Sequence, residues 1–276
     1  MPEGPEVRII ADTLLIEITG LSLISIEYNS SSRYNKKKIE GLEELSNLLP
    51  LTIADIDTKG KKILFQLTSE DGYQAFLVSS LMMEGKWTWD KGKHSDLWLN
   101  LQDIDGNDYI LYFDDSRHFG TFEIFLSLDD LKERLSDIGP DLLSDDIDIT
   151  TWQNTLANKR LKNKKIGLFL MDQKYFSGIG NYLRAEILYD CKISPHRKLC
   201  ELSAEDVDNL FESSTRIIRN SYQAQGLTIA TFWDPHGRKG NFTVKVYNKT
   251  CDPDGCNVIT EKLGDRTVHW VPDVQV

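Results

Sequence analysis

Six short runs in the first 126 residues alternate apolar and polar side chains, and no helical pattern separates them. They cover 21–28, 62–67, 73–78, 97–101, 109–113 and 121–126. Strands in series without intervening helices point to a β-sandwich or barrel. Asp105-Gly106-Asn107 supplies a hairpin turn within the series. One helix precedes the strands: Val7, Ile10, Leu14 and Ile18 share a face, and Gly20 is its stop.

Beyond residue 126 the pattern changes. A stretch dense in Asp and Glu, 129–148, reads as a linker with a short helix. Helical periodicity follows at 152–160, 166–176 and 181–189. Ser203 with Asp206 forms a capping box, with Asp in the place of Glu. It opens a long helix with Val207, Leu210, Phe211, Ser214, Ile217 and Ile218 on one side. A loop at 226–240 holds Gly, His and Trp, and the runs 242–247 and 266–271 are expected to pair as a terminal hairpin. The expected division is 1–126 for a sandwich domain with flanking helices, 127–150 for a linker, 151–241 for a helical domain with its loop, and 242–276 for the hairpin. The class is α+β, multidomain.

A chain of 276 residues has room for about two cores of ordinary size. No apolar run reaches membrane-span length and no signal-peptide pattern opens it, so no membrane partner is expected. Cys191, Cys200, Cys251 and Cys256 make no disulfide framework at this length, which suits a reducing, intracellular setting. The net charge of −11 argues at face value against a polyanionic partner. Its distribution relaxes that: Lys36-Lys37-Lys38, the group Lys59, Lys61 and Lys62, and the group Lys159, Arg160, Lys162, Lys164 and Lys165 are separate basic clusters.

Two stretches carry chemistry. Pro2-Glu3-Gly4-Pro5-Glu6 leads straight into the first helix, with proline near its first position and acid where the helix dipole favours it. If Met1 is removed, as a small second residue favours, a secondary amine stands free at a fixed place. An α-amine has a pKa near ~8, so far more of it is nucleophilic at neutral pH than of a lysine. Its attack on an aldehyde-like carbon gives an iminium, an electron sink. The second stretch is Gly178-Ile179-Gly180-Asn181, between two helical patterns. Its glycines serve a tight turn and also allow close approach of a ligand to an exposed helix start, where Asn181 is placed to hydrogen-bond a phosphate.

Together PEGPEV and GIGNYLRAEIL (178–188) resemble the Fpg/Nei family of DNA glycosylases, formamidopyrimidine-DNA glycosylase and endonuclease VIII. The second string is similar to that family's helix–two-turn–helix element. The resemblance spans nearly the whole chain and implies a base-excision enzyme that also nicks the abasic strand. Pro2 falls on the nucleophile, Glu3 on the proton relay with Glu6 assisting, and Lys61 on the lysine that orients sugar and phosphates. Met83, Arg117 and Phe119 fall on residues that fill the gap left by an extruded base. Asn181 and Arg266 fall on phosphate contacts. Damaged DNA, duplex or single-stranded, is the implied partner, crossing between the two domains. A monomer without cofactor is implied, acting in the nucleus or at a viral replication site in a eukaryotic or viral source, otherwise in the cytoplasm.

Some positions depart from the family. Cys251 and Cys256 are separated by four residues, and Val271-Pro272-Asp273-Val274 stands where a second cysteine pair belongs. With His269 they make three ligands, one short of a tetrahedral zinc site, so a zincless finger hairpin and no metal are expected. His118 replaces a second arginine, and Gly167 a phosphate-contacting lysine whose role Lys164 or Lys165 would have to take. Such departures resemble the eukaryotic endonuclease VIII-like branch or a viral relative. Two other classes stand beside the enzyme: a catalytically silent reader of DNA damage, and a structural nucleic-acid protein using the same two-turn motif.

Overall fold

The computed structural model describes residues 1–29, 32–35, 38–228 and 232–276, with the side chain of Asn35 left aside. The chain forms two compact units. The first holds Met1, Pro2, residues 6–136 and 228–240, and the second holds residues 3–5, 137–227 and 241–276. The loop at 228–240, expected with the helical domain, thus belongs to the first unit.

In the first unit, helix α1 (Gly4–Ile18) buries Val7, Ile10, Ala11, Leu14 and Ile18, the stripe its periodicity predicts. Arg8 on its other face pairs with Asp12 at 2.7 Å and Asp57 at 2.6 Å. Eight strands follow: β1 (Ser22–Tyr28), β2 (Leu51–Lys59), β3 (Lys62–Thr68), β4 (Gln74–Ser80), β5 (Lys86–Thr88), β6 (Ser95–Gln102), β7 (Asp108–Asp114) and β8 (Thr121–Phe125). They form one continuous antiparallel sheet in the order β5-β7-β6-β1-β2-β3-β4-β8. Two strands escaped the alternation pattern, each for a physical reason. In β2 the register shifts between Ile53 and Asp55, which breaks the period of two, and β5 is only 3 residues long. Trp87 on β5 is fully buried against Phe65, Phe113 and Phe122, and its indole N–H donates to Ser79 Oγ at 3.1 Å. Short α2 (Leu42–Ser46) and α3 (Leu128–Leu135) complete the unit. Ser127 caps α3, whose Leu131 packs on Phe76 and Val78.

The second unit is helical: α4 (Ile149–Leu156), α5 (Ile166–Phe169), α6 (Asn181–Asp190) and α7 (Ala204–Gln223). Trp152 on α4 packs edge-on to Phe169 and tilted against Phe176 and Phe211. The Ser203–Asp206 capping box opens α7 through reciprocal bonds of 3.1 and 2.9 Å. The helix expected at 166–176 stops at Phe169. Beyond it Asp172 accepts from Lys174 N at 3.2 Å, and Gln173 binds the carbonyls of Met171 and Ile179, so side chains divert the backbone into turns.

The terminal hairpin also differs from expectation. It pairs β9 (Ile259–Leu263) with β10 (Arg266–Trp270), not 242–247 with 266–271. The 245–247 backbone is claimed elsewhere: Lys245, Val246 and Tyr247 N–H all donate to the Glu186 carboxylate of α6, at 2.7 to 3.0 Å. Donors bound to a carboxylate are withdrawn from any strand ladder. No helix among the described residues is long and apolar enough to cross a membrane.

Candidate active site and nucleic-acid contacts

The first residues of the chain are fastened to the start of α6. The Glu3 carboxylate accepts from the backbone N–H of Gly180 at 2.7 Å, Tyr182 at 2.9 Å and Leu183 at 3.2 Å. These are unsatisfied donors of a helix N-terminus, and no local side chain caps them. The cap arrives instead from 177 residues away. Next to it Gly4 N–H donates to the Gly178 carbonyl at 2.9 Å. Gly180 must lack a side chain, because a Cβ there would lie 2.3 Å from the Glu3 carboxyl carbon. Glu3 and Glu6 are buried at 2 % and 1 % exposure, and Pro2, bonded directly to the anchored Glu3, is buried too.

Lys61 occupies the second position of the two-residue turn Gly60-Lys61 between β2 and β3, where Lys59 faces Lys62. Gly60 has φ 58° while Lys61 keeps an ordinary negative φ, the pattern of a hairpin turn that needs glycine first. The neighbouring Lys62 turns inward: its ammonium donates to Ser80 Oγ at 2.9 Å and pairs with Glu123 at 3.5 Å. Burial lowers the pKa of Lys62, with Glu123 opposing the shift. Glu123 is held in turn by two bonds from Arg134, at 2.9 and 3.1 Å. So the basic group 59–62 is not a uniform cationic face. Of Lys36-Lys37-Lys38, the first two lie outside the described residues.

Met83, Arg117 and Phe119 sit on two loops of the first unit that are tied together. Met83 lies half-buried in the 82–84 turn, and the adjacent Glu84 accepts from Ser116 Oγ. In the second loop Asp115 accepts from Arg117 N at 3.1 Å and Gly120 N at 2.6 Å. His118 takes a left-handed φ of 56°, pairs with Asp96 at 2.6 Å, and its carbonyl accepts from Arg33. The result displays Arg117 over the Phe119 ring, 4.9 Å from its centroid. Phe119 is 49 % exposed, too open to be a core residue.

Asn181 opens α6, its side-chain oxygen taken by Arg184, and Arg266 opens β10, exposed, after the Gly264-Asp265 turn. Of the candidate metal ligands, His269 Nδ1 meets Thr260 Oγ1 at 3.1 Å and Cys251 Sγ lies 4.0 Å from Asn257 Oδ1. Among the described residues no three His, Cys, Asp or Glu gather around one point.

Gln173, Arg184 and Glu186 organise this region without having stood out in the sequence. A signal existed: α6 buries all residues from Tyr182 to Tyr189, so its apolar residues occupy every face. In such a helix the two charged positions must be buried and partnered.

A chain whose N-terminal glutamate caps a helix start behind a two-glycine turn falls with the DNA glycosylases that its domains match. The family model for the formamidopyrimidine-DNA glycosylase N-terminal domain matches residues 1–122, and that for its H2TH domain matches residues 138–232. The formamidopyrimidine-DNA glycosylase of Streptococcus pneumoniae (serotype 4) is 32 % identical over 100 % of this chain and 99 % of its own length. MutM in complex with DNA containing carbocyclic 8-oxo-G superposes with a TM-score of 0.83 at 29 % identity, over 99 % of both chains. Lactococcus lactis Fpg in complex with abasic-site DNA gives 0.84 at 29 % identity, over 99 % of both chains. The chain belongs to the formamidopyrimidine-DNA glycosylase family.

Proposed function

We propose that this chain is a base-excision-repair DNA glycosylase with abasic-site lyase activity, working through its N-terminal proline. The observation that carries the reading is the anchoring of Glu3 by three N–H groups of the helix start, which fixes the residue bonded to Pro2. A nucleophile on a loose terminus would lose most of the advantage of orientation.

With Met1 removed, the lone pair of the Pro2 amine attacks the anomeric carbon of the damaged nucleotide. The bond to the base breaks, and the base leaves with its electron pair and takes up a proton. The sugar ring opens as Glu3 relays the amine's proton to the ring oxygen, with Glu6 supporting, and an iminium joins Pro2 to the sugar. The iminium draws electrons from the neighbouring carbon. That carbon gives up a proton, and the phosphate one carbon further leaves with the bonding pair. Lys61 orients sugar and phosphates. Met83, Arg117 and Phe119 fill the vacated stack, and Asn181 and Arg266 hold phosphates. Oxidised pyrimidines and ring-opened or hydantoin purines are the proposed lesions, and a panel of defined oligonucleotides would rank them. The enzyme works as a monomer inside the cell, in whichever compartment holds the DNA.

The test is reductive trapping. Borohydride added to a reaction on abasic DNA should leave protein covalently joined to DNA, and intact mass should show Met1 absent. Pro2→Ala, or a tag that blocks the N-terminus, should abolish the adduct; undiminished trapping in both would move the nucleophile elsewhere.

A further inference from the structure

Arg184 sits in the middle of α6 with 0 % exposure. Its Nη1 donates to the Gly167 carbonyl at 3.1 Å, and its Nη2 donates to the Thr267 carbonyl at 2.7 Å and to the Asn181 side-chain oxygen. Nε has no hydrogen-bond partner among the described residues. Burial pulls the guanidinium down to about 10, with Glu3 opposing the shift and Arg266 adding to it. A buried guanidinium is costly unless hydrogen bonds and opposite charge compensate it, and here the compensating acceptors come from three separate segments.

Three segments meet there. One is α5 at Gly167, one is the first turn of α6 at Asn181, and one is β10 at Thr267, the residue after Arg266. A two-stranded hairpin is marginal on its own in water, so β9–β10 needs such a fastening. Gly167 makes room for it: a Cβ at that position would lie 2.7 Å from Leu263 Cδ2 and 2.9 Å from the Pro195 carbonyl. The place where relatives are expected to carry a lysine is here occupied by the packed hairpin. The guanidinium also settles how Asn181 stands. Arginine only donates, so the amide oxygen must face it and the NH2 must face away. That NH2 lies beside the Tyr247 hydroxyl, whose pKa is raised chiefly by burial, then by Glu3, with the Asn181 hydrogen bond opposing.

We infer that Arg184 is a positioning residue for phosphate binding, holding the Asn181 amide and the Arg266-bearing strand in one register. This rests on the proposed role of Asn181 and Arg266 as DNA contacts. A residue of this kind acts through the other two, which a merely structural residue would not.

The test is a double-mutant cycle, measuring Kd for a duplex that carries a tetrahydrofuran abasic analogue. Arg184→Lys retains the charge but loses the planar fork, and should weaken binding about tenfold, the scale of one charged hydrogen bond. In a background lacking both Asn181 and Arg266 side chains beyond Cβ (Asn181→Ala with Arg266→Ala), the same change should cost less than about twofold. Hydrogen exchange should quicken across Ile259–Trp270 and not in the first unit's sheet. An equal loss in both backgrounds, or none in the wild-type background, would overturn the inference. If Asn181→Ala with Arg266→Ala bound DNA as tightly as the wild type, the assignment of those contacts would fail and this inference with it. Should Arg184→Lys melt below the assay temperature, Arg184→Gln, which drops the charge and keeps an amide donor, carries the same comparison.

Discussion

Glu3 shows how one carboxylate ties two distant parts of the sequence together, and it makes Gly180 a sensitive position. Gly180 has φ −128°, a backbone any residue adopts, so its need for glycine is one of space alone. Gly180→Ala should push Glu3 off its donors and slow base excision roughly a hundredfold, the scale expected for a misplacement of about an ångström. Overpacking should cost about 1–3 kcal/mol of stability, leaving the protein folded. Single-turnover excision beside a thermal melt would check both, and an unslowed Gly180→Ala would refute the placement argument. Glu3→Gln separates the chemical steps: it should suppress excision while cleavage at a preformed abasic site partly persists. A normal excision rate in Glu3→Gln would remove Glu3 from the proton path. Pro2, Glu3 and Asn181 stand out as candidates in the sequence because each belongs to a short string of unusual composition. Their meeting does not, since nothing local in PEGPE shows that its glutamate caps a helix 177 residues on.

Elements were readable where one face of a regular segment decides its packing, as in α1 and α7. They were lost where a polar side chain captures backbone groups. Glu186 withdraws the N–H groups of 245–247 from pairing, and so the terminal hairpin uses 259–263, a segment with weak alternation. The two loops carrying Met83, Arg117 and Phe119 belong to neither case: no periodicity marks them, and polar contacts give them their shape. Asp115, the His118–Asp96 pair and the Glu84–Ser116 bond hold them. Phe119, half exposed, can be removed with little loss of stability. Unstacking a duplex costs a few kcal/mol, and a wedge offsets part of that. Phe119→Ala should therefore lower activity on a lesion in duplex several times more than on the same lesion in single strand. Equal losses on the two substrates would return the side chain to a passive surface role.

For the molecule as a whole, the net charge of −11 means that any hold on DNA comes from a few local contacts rather than a broad cationic face. Arg266→Ala should then reduce the slope of log K against log salt by about one while the chain stays folded. The C-terminus likewise relies on a few side-chain bonds. Asp252 accepts from the Tyr189 hydroxyl at 3.0 Å and from the N–H of Asp254 and Cys256 at 3.0 and 2.8 Å, organising the turn between the two cysteines. Burial and then Asp252, Asp273 and Asp254 push the Cys256 thiol up. Where a second cysteine pair would stand, Val271 is buried and its N–H donates to Gln275 Oε1 at 2.7 Å, while Gln275 Nε2 donates to the Ile193 carbonyl at 3.0 Å. Gln275→Ala would leave the buried Val271 N–H and Ile193 carbonyl without these partners, a loss of about 1–3 kcal/mol each, and should lower the melting temperature by several degrees. Prolonged chelation, by contrast, should change neither the melting temperature nor borohydride trapping on abasic DNA. Stoichiometric zinc in the purified protein, removed by the chelator together with activity, would defeat the zincless hairpin and give Cys251, Cys256 and His269 back to a metal.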